Sequence, residues 1–132
     1  MMKHFKLSIL LVTLLVISCQ NQRKDSTITM IDSEEVKTML QDDQVQLVDV
    51  RTVKEFNEHY IKGAENIVYD DNFNQKLDKL EKDKPIIVYC RSGRRSAKCT
   101  AIMEKQGFTK IYELKGGITQ WMKEENDIEK NK

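Results

Sequence analysis

Ile86-Ile87-Val88-Tyr89 is apolar at four successive positions. Successive side chains of a strand point to opposite faces, so a strand built from this run needs cover on both, as an interior strand of a parallel sheet has. Strand-like runs at Thr29 to Ile31, Gln46 to Val50, Asn66 to Val68 and Lys110 to Leu114 alternate with helix-spaced apolar triplets. The triplets are Val36, Met39 and Leu40; Phe73, Leu77 and Leu80; and Ile118, Trp121 and Met122, each expected to face a core. Asp32 or Ser33 is placed to cap the first helix, and Thr52 with Glu55 has capping-box spacing. Alternating strand and helix signals predict an α/β domain: a three-layer, largely parallel five-stranded sheet flanked by helices on both faces.

The two ends do not share this pattern. Lys3 and Lys6 precede an apolar run from Leu7 to Ile17, and Val16-Ile17-Ser18-Cys19 follows. The run is shorter than the ~20 residues of a membrane-spanning helix and has the order of a secretory signal. Its end resembles the lipobox of bacterial lipoproteins, which implies cleavage before Cys19 and lipid on that cysteine. The expected organisation is a signal peptide over residues 1–18, a lipidated cysteine and polar tether over 19–28, one domain over 29–124, and a charged, fraying tail over 125–132. Gln20, standing where an aspartate serves as an inner-membrane retention signal, points to the outer membrane of a cell envelope.

Charge narrows the partners. The chain has 22 basic and 21 acidic residues; without Lys3 and Lys6 the balance tips to one excess acidic group. Such a domain is no general nucleic-acid binder. Its basic character is concentrated at Cys90-Arg91-Ser92-Gly93-Arg94-Arg95-Ser96, where a strand runs into a cysteine, a glycine-containing loop and a helix start. Loop N–H groups turned toward the sulfur, the helix dipole and the three arginines all favour a thiolate and attract an anion. Ser92 and Gly93 permit a tight curl, and Ser96 is placed to cap the helix. Cys99 shares a helical face with Ile102 and Met103 and reads as a small buried thiol.

The segment Ile86 to Ser96 resembles the active-site strand and loop of rhodanese-like sulfurtransferases. Two further segments agree in order and spacing: Leu47-Val48-Asp49-Val50-Arg51 with Glu55-Phe56 and Gly63-Ala64-Glu65-Asn66-Ile67, and Leu114-Lys115-Gly116-Gly117-Ile118 with Trp121. The chain departs from the family at His59-Tyr60 and at Lys62, which replaces a proline. The resemblance implies that Cys90 takes sulfane sulfur from a small anionic donor such as thiosulfate, holds it as a persulfide, and gives it to a thiol, a cyanide-like acceptor or a protein. It implies no cofactor and no metal. Arg91, Ser92, Gly93, Arg94, Arg95 and Ser96 are the expected substrate-binding loop, with Asp49 and Arg51 in support and Arg91 or Arg95 free to orient the donor or pair with Asp49. Rival readings are a noncatalytic, membrane-tethered sensory module and a cysteine phosphatase or arsenate reductase. The latter generally needs C-x5-R, and Ser96 stands at that spacing.

Overall fold

The computed structural model describes residues 26–131, so the signal segment, Cys19 and most of the tether lie outside the described residues. Strands β1 (Ile28–Ile31), β2 (Gln46–Asp49), β3 (Glu65–Asn66), β4 (Ile86–Tyr89) and β5 (Ile111–Leu114) form one sheet in the order β1-β5-β4-β2-β3. Every pairing in it is parallel, with Asp49 level with Tyr89 and Val88 level with Glu113. Between the strands run α1 (Ser33–Met39), α2 (Val53–Glu58), α3 (Phe73–Lys76) with a 3-10 turn at Leu77–Lys79, and α4 (Arg94–Lys105); α5 (Gly117–Lys123) follows β5. The expected α/β architecture is therefore present.

The apolar run of β4 divides between two cores as strand alternation requires. Ile86 and Val88 join Cys99 and Met103 of α4 and Phe73 and Leu77 on one face; Ile87 and Tyr89 join Val36 of α1 and Ile118 and Trp121 of α5 on the other. All four β4 side chains are fully buried. Asp32 caps α1 and Thr52 caps α2, each in a capping box closed by Glu35 and Glu55 respectively. These reciprocal bonds satisfy N–H groups that a helix start leaves open.

Two expectations are corrected. Met122 is 36 % exposed because the inward direction of α5 falls between Ile118 and Trp121, turning Met122 aside. Leu80 is buried but lies in extended backbone after the 3-10 turn, outside any helix. Part of the charged tail touches the domain. Ile128 packs against the α1 and α5 core, the Trp121 indole N–H donates to the Asp127 carbonyl at 2.8 Å, and Tyr60 and Glu129 form an antiparallel bridge. One apolar side chain and satisfied backbone groups are enough to pin a polar segment. At the other end Glu104 on α4 accepts hydrogen bonds from Ser26 and from both the N–H and hydroxyl of Thr27.

Candidate active site

Cys90 follows the last residue of β4, at the carboxyl edge of the sheet where parallel α/β folds collect ligands. The chain must reverse there to enter α4, and Gly93 does so with φ 109° as the helix N-cap. Its N–H donates to the Cys90 Sγ at 3.1 Å. Ser96 does not cap α4, contrary to expectation, since a glycine occupies that position. It lies inside the first turn, fully buried, with its Oγ 3.4 Å from the Cys90 Sγ.

The loop is braced from the opposite core. The first N–H groups of α5 are open donors, and Ile118 and Thr119 give theirs to the Cys90 and Arg91 carbonyls at 2.9 and 3.1 Å. Gly117 makes this approach possible: a Cβ there would lie 2.6 Å from both carbonyl oxygens. Gly117 thus serves close backbone packing against the loop, while a Cβ on Gly116 would meet the Gln120 side chain at 2.6 Å.

Burial pushes the Cys90 thiol up, yet its pKa ends below the ordinary value. The Ser96 hydroxyl and the N–H groups of Ser96, Gly93 and Ser92 outweigh the burial. Hydrogen bonds from the curled loop do the lowering, and Arg95 contributes an attraction to the sulfur at longer range. Cys99, 0 % exposed on the inner face of α4, is pushed up by burial to about 12 and stays a neutral thiol.

The supporting pairs differ from those expected. Asp49 and Arg51 are both buried and bind each other, with Arg51 Nη2 at 2.6 Å from Asp49 Oδ2 and also donating to the His59 carbonyl at 2.6 Å. Asp49 is therefore occupied by Arg51. Arg95 instead forms a two-pronged pair with Glu55 at 2.7 and 2.8 Å. Of the loop arginines, Arg91 and Arg94 are exposed. Arg91 joins Arg51, Glu55, Glu58, His59, Ile118, Thr119 and Met122 around a cavity of about 260 Å³ beside the loop. Neither this cavity nor a larger one of about 540 Å³, walled by Leu40, Ile61 and Trp121 among others, has a thiol in its lining.

Sequence reasoning missed Glu113. It is 3 % exposed on β5, with Oε1 accepting from the Ser96 hydroxyl at 2.8 Å. Strand periodicity carried the signal, because Glu113 shares a face with buried Ile111. Among the described residues no group of three or more His, Cys, Asp or Glu side chains is placed to hold a metal, and no helix is long and apolar enough to cross a membrane.

A rhodanese-like domain profile matches residues 32–124. The chain is 30 % identical over 105 residues to a thiosulfate sulfurtransferase of Glaesserella parasuis, covering 80 % of this chain and 96 % of that one. It is 35 % identical over 92 residues to a sulfurtransferase of Allochromatium vinosum, covering 69 % and 85 %. Other relatives are matched over less of their length: the chain spans 61 % of the uncharacterised YqhL of Bacillus subtilis and 32 % of a tRNA uridine(34) hydroxylase of Pelagibacter ubique. A crystal structure of a rhodanese-like domain protein from Staphylococcus aureus superposes with a TM-score of 0.68 at 29 % identity, covering 79 % of this chain and 99 % of that one. With a profile match across most of its length and relatives of this similarity, the chain belongs to the rhodanese-like domain family.

Proposed function

We propose that the domain is a sulfurtransferase that carries sulfane sulfur as a persulfide on Cys90. The observation that carries this reading is the Gly93 N–H aimed at the Cys90 Sγ at 3.1 Å, inside a loop whose N–H groups favour a negative sulfur. Two relatives named as sulfurtransferases support it.

In the first step the Cys90 thiolate attacks the outer sulfur of thiosulfate. A new S–S bond forms, and the old one breaks with its electron pair leaving on sulfite. The negative charge then rests on the outer sulfur of the persulfide, where preorganised loop N–H groups stabilise it without reorganisation. In the second step a thiophile such as cyanide or a thiol attacks that outer sulfur, and Cys90 leaves as the thiolate. Arg91, exposed at the cavity mouth, orients the anionic donor; Arg95, tied to Glu55, positions the loop.

The phosphatase reading fits less well. A buried serine hydrogen-bonded to a carboxyl occupies the position where an oxyanion-binding arginine belongs. Purified protein should turn over thiosulfate with cyanide and leave aryl phosphates essentially untouched; efficient phosphate-ester hydrolysis without sulfur transfer would reverse the assignment.

We propose further that Cys19 is lipidated and tethers the domain to a membrane of the cell envelope. Lys3, Lys6, the short apolar run and Ser18-Cys19 support this. Several acyl chains anchor stably at about 0.8 kcal/mol per buried methylene, where one is marginal. Cys19→Ala should abolish lipid labelling and release the protein from membranes; unchanged attachment would contradict the tether.

A further inference from the structure

Glu113 is the one buried carboxyl near the sulfur that the reaction above leaves unused. It sits at the interior of the sheet on β5, and none of the ion pairs among the described residues includes it. Its contacts are two hydroxyls of α4: Ser96 Oγ at 2.8 Å from Oε1, and Thr100 Oγ1 at 3.5 Å from Oε2. A methyl group on Gly93 would come within 3.9 Å of the same Oε1, so the carboxyl lies directly beneath the loop. A buried carboxylate without a counter-charge is costly, and binding a proton relieves that cost.

The proton has a source one hydroxyl away. Ser96 Oγ lies between the two groups, 3.4 Å from the Cys90 Sγ and 2.8 Å from the Glu113 Oε1. A hydroxyl donates one hydrogen and accepts others, so it can take a hydrogen bond from the thiol while donating to the carboxylate, or the reverse. We propose that Glu113 is a positioning residue that takes the Cys90 proton through the Ser96 hydroxyl, so that the nucleophile forms by moving one negative charge from the carboxylate to the sulfur.

The step balances without an outside reagent. The Cys90 S–H bond breaks as its proton passes to Ser96 Oγ, and the Ser96 O–H proton passes to Glu113 Oε1. Thiol plus carboxylate becomes thiolate plus carboxylic acid, with no change in electron count or net charge. The buried pair then holds one negative charge when an anionic donor arrives, where two would repel it. Burial raises Glu113 while the loop lowers Cys90, bringing the two proton affinities toward each other. Of the other groups facing the pair, Cys99 on α4 stays a thiol, and Arg95 is held by Glu55.

This inference rests on Cys90 as the reactive thiol, and alkylation tests it without any sulfur donor. The rate of iodoacetamide addition to Cys90 in the full chain should be followed against pH by peptide mass spectrometry. Two coupled groups titrate in two macroscopic steps. The wild-type rate should therefore rise, pause at a plateau of partial thiolate, and rise again. Glu113→Gln should give one step, with a midpoint about one pH unit below the upper wild-type step, the effect of one pKa unit of charge interaction, and a rate at completion above the wild-type plateau. Ser96→Ala should shrink the lower step, because the thiolate loses the hydroxyl hydrogen bond that favours it. Should Glu113→Gln fail to fold, infrared spectroscopy of the wild-type chain should show a carboxylic-acid carbonyl band that disappears with the upper alkylation step. A Glu113→Gln profile that superposes on a single-step wild-type profile, or a carboxyl that ionises before any thiolate forms, would overturn the proton exchange. Sulfur transfer measured on the same samples separates that outcome from failure of the sulfurtransferase reading.

Discussion

Arg95 clasps Glu55 through two hydrogen bonds of 2.7 and 2.8 Å, joining the first turn of the helix that follows the reactive loop to the capping box of α2. Glu55 thus performs two tasks, because the oxygen that meets Arg95 also accepts from the Thr52 N–H and hydroxyl.

This pairing makes stability depend on acid. The Arg95 guanidinium, ahead of the Thr52 groups, holds the Glu55 carboxyl at about 2 against an ordinary value of 4.5. A depressed carboxyl stabilises the fold above its unfolded value and loses that contribution as pH falls toward the folded one. Glu55→Gln should cost about 1–2 kcal/mol at pH 7, since a two-pronged, charge-assisted pair exceeds a typical surface ion pair. Urea unfolding at pH 7 and pH 3 checks the sign: the wild-type advantage should shrink at pH 3, and an advantage that grows there would contradict it.

Breaking the deeper pair should be more damaging. Asp49 and Arg51 are 0 % and 2 % exposed, and Arg51 also ties the β2 end to the His59 carbonyl. Asp49→Ala strands a buried guanidinium, a change that typically costs about 3–5 kcal/mol. Thermal unfolding should show a large loss of stability, and a loss within the range of surface substitutions would show that Arg51 finds another partner.

Gly117→Ala tests the brace beneath the loop. At φ 61°, with the carbonyl oxygens of Cys90 and Arg91 only 2.6 Å from where a methyl carbon would stand, alanine cannot fit without separating α5 from the loop. Left-handed backbone alone costs an alanine roughly 1–2 kcal/mol. The variant should lose more than that in urea unfolding and react more slowly with thiosulfate. Full stability with unchanged reactivity would mean that the loop holds its own shape.

The sequence disclosed most of the scaffold for physical reasons that the structure makes visible. A run apolar on both faces has only an interior strand to occupy, and a cysteine after it must fall at the carboxyl edge of the sheet. Partner choice was less legible. Asp49, Glu55, Arg51 and Arg95 all converge on one edge, and only three-dimensional placement decides which carboxylate meets which guanidinium. Glu113 was passed over for its charge, although alternation along β5 puts it on the face of buried Ile111; which hydroxyls it meets is decided by α4. The contacts of Ile128 and the Asp127 carbonyl were not legible in the polar composition of the C-terminal tail.

The most direct test of the account is to treat the full chain with thiosulfate, block free thiols, and locate the added sulfur by peptide mass spectrometry. Cys90 should carry the mass of one sulfur atom, lose it to cyanide, and show none in Cys90→Ser, while Cys99→Ala retains the modification. Sulfur found mainly on Cys99, or undiminished transfer in Cys90→Ser, would contradict the assignment of Cys90 as the carrier.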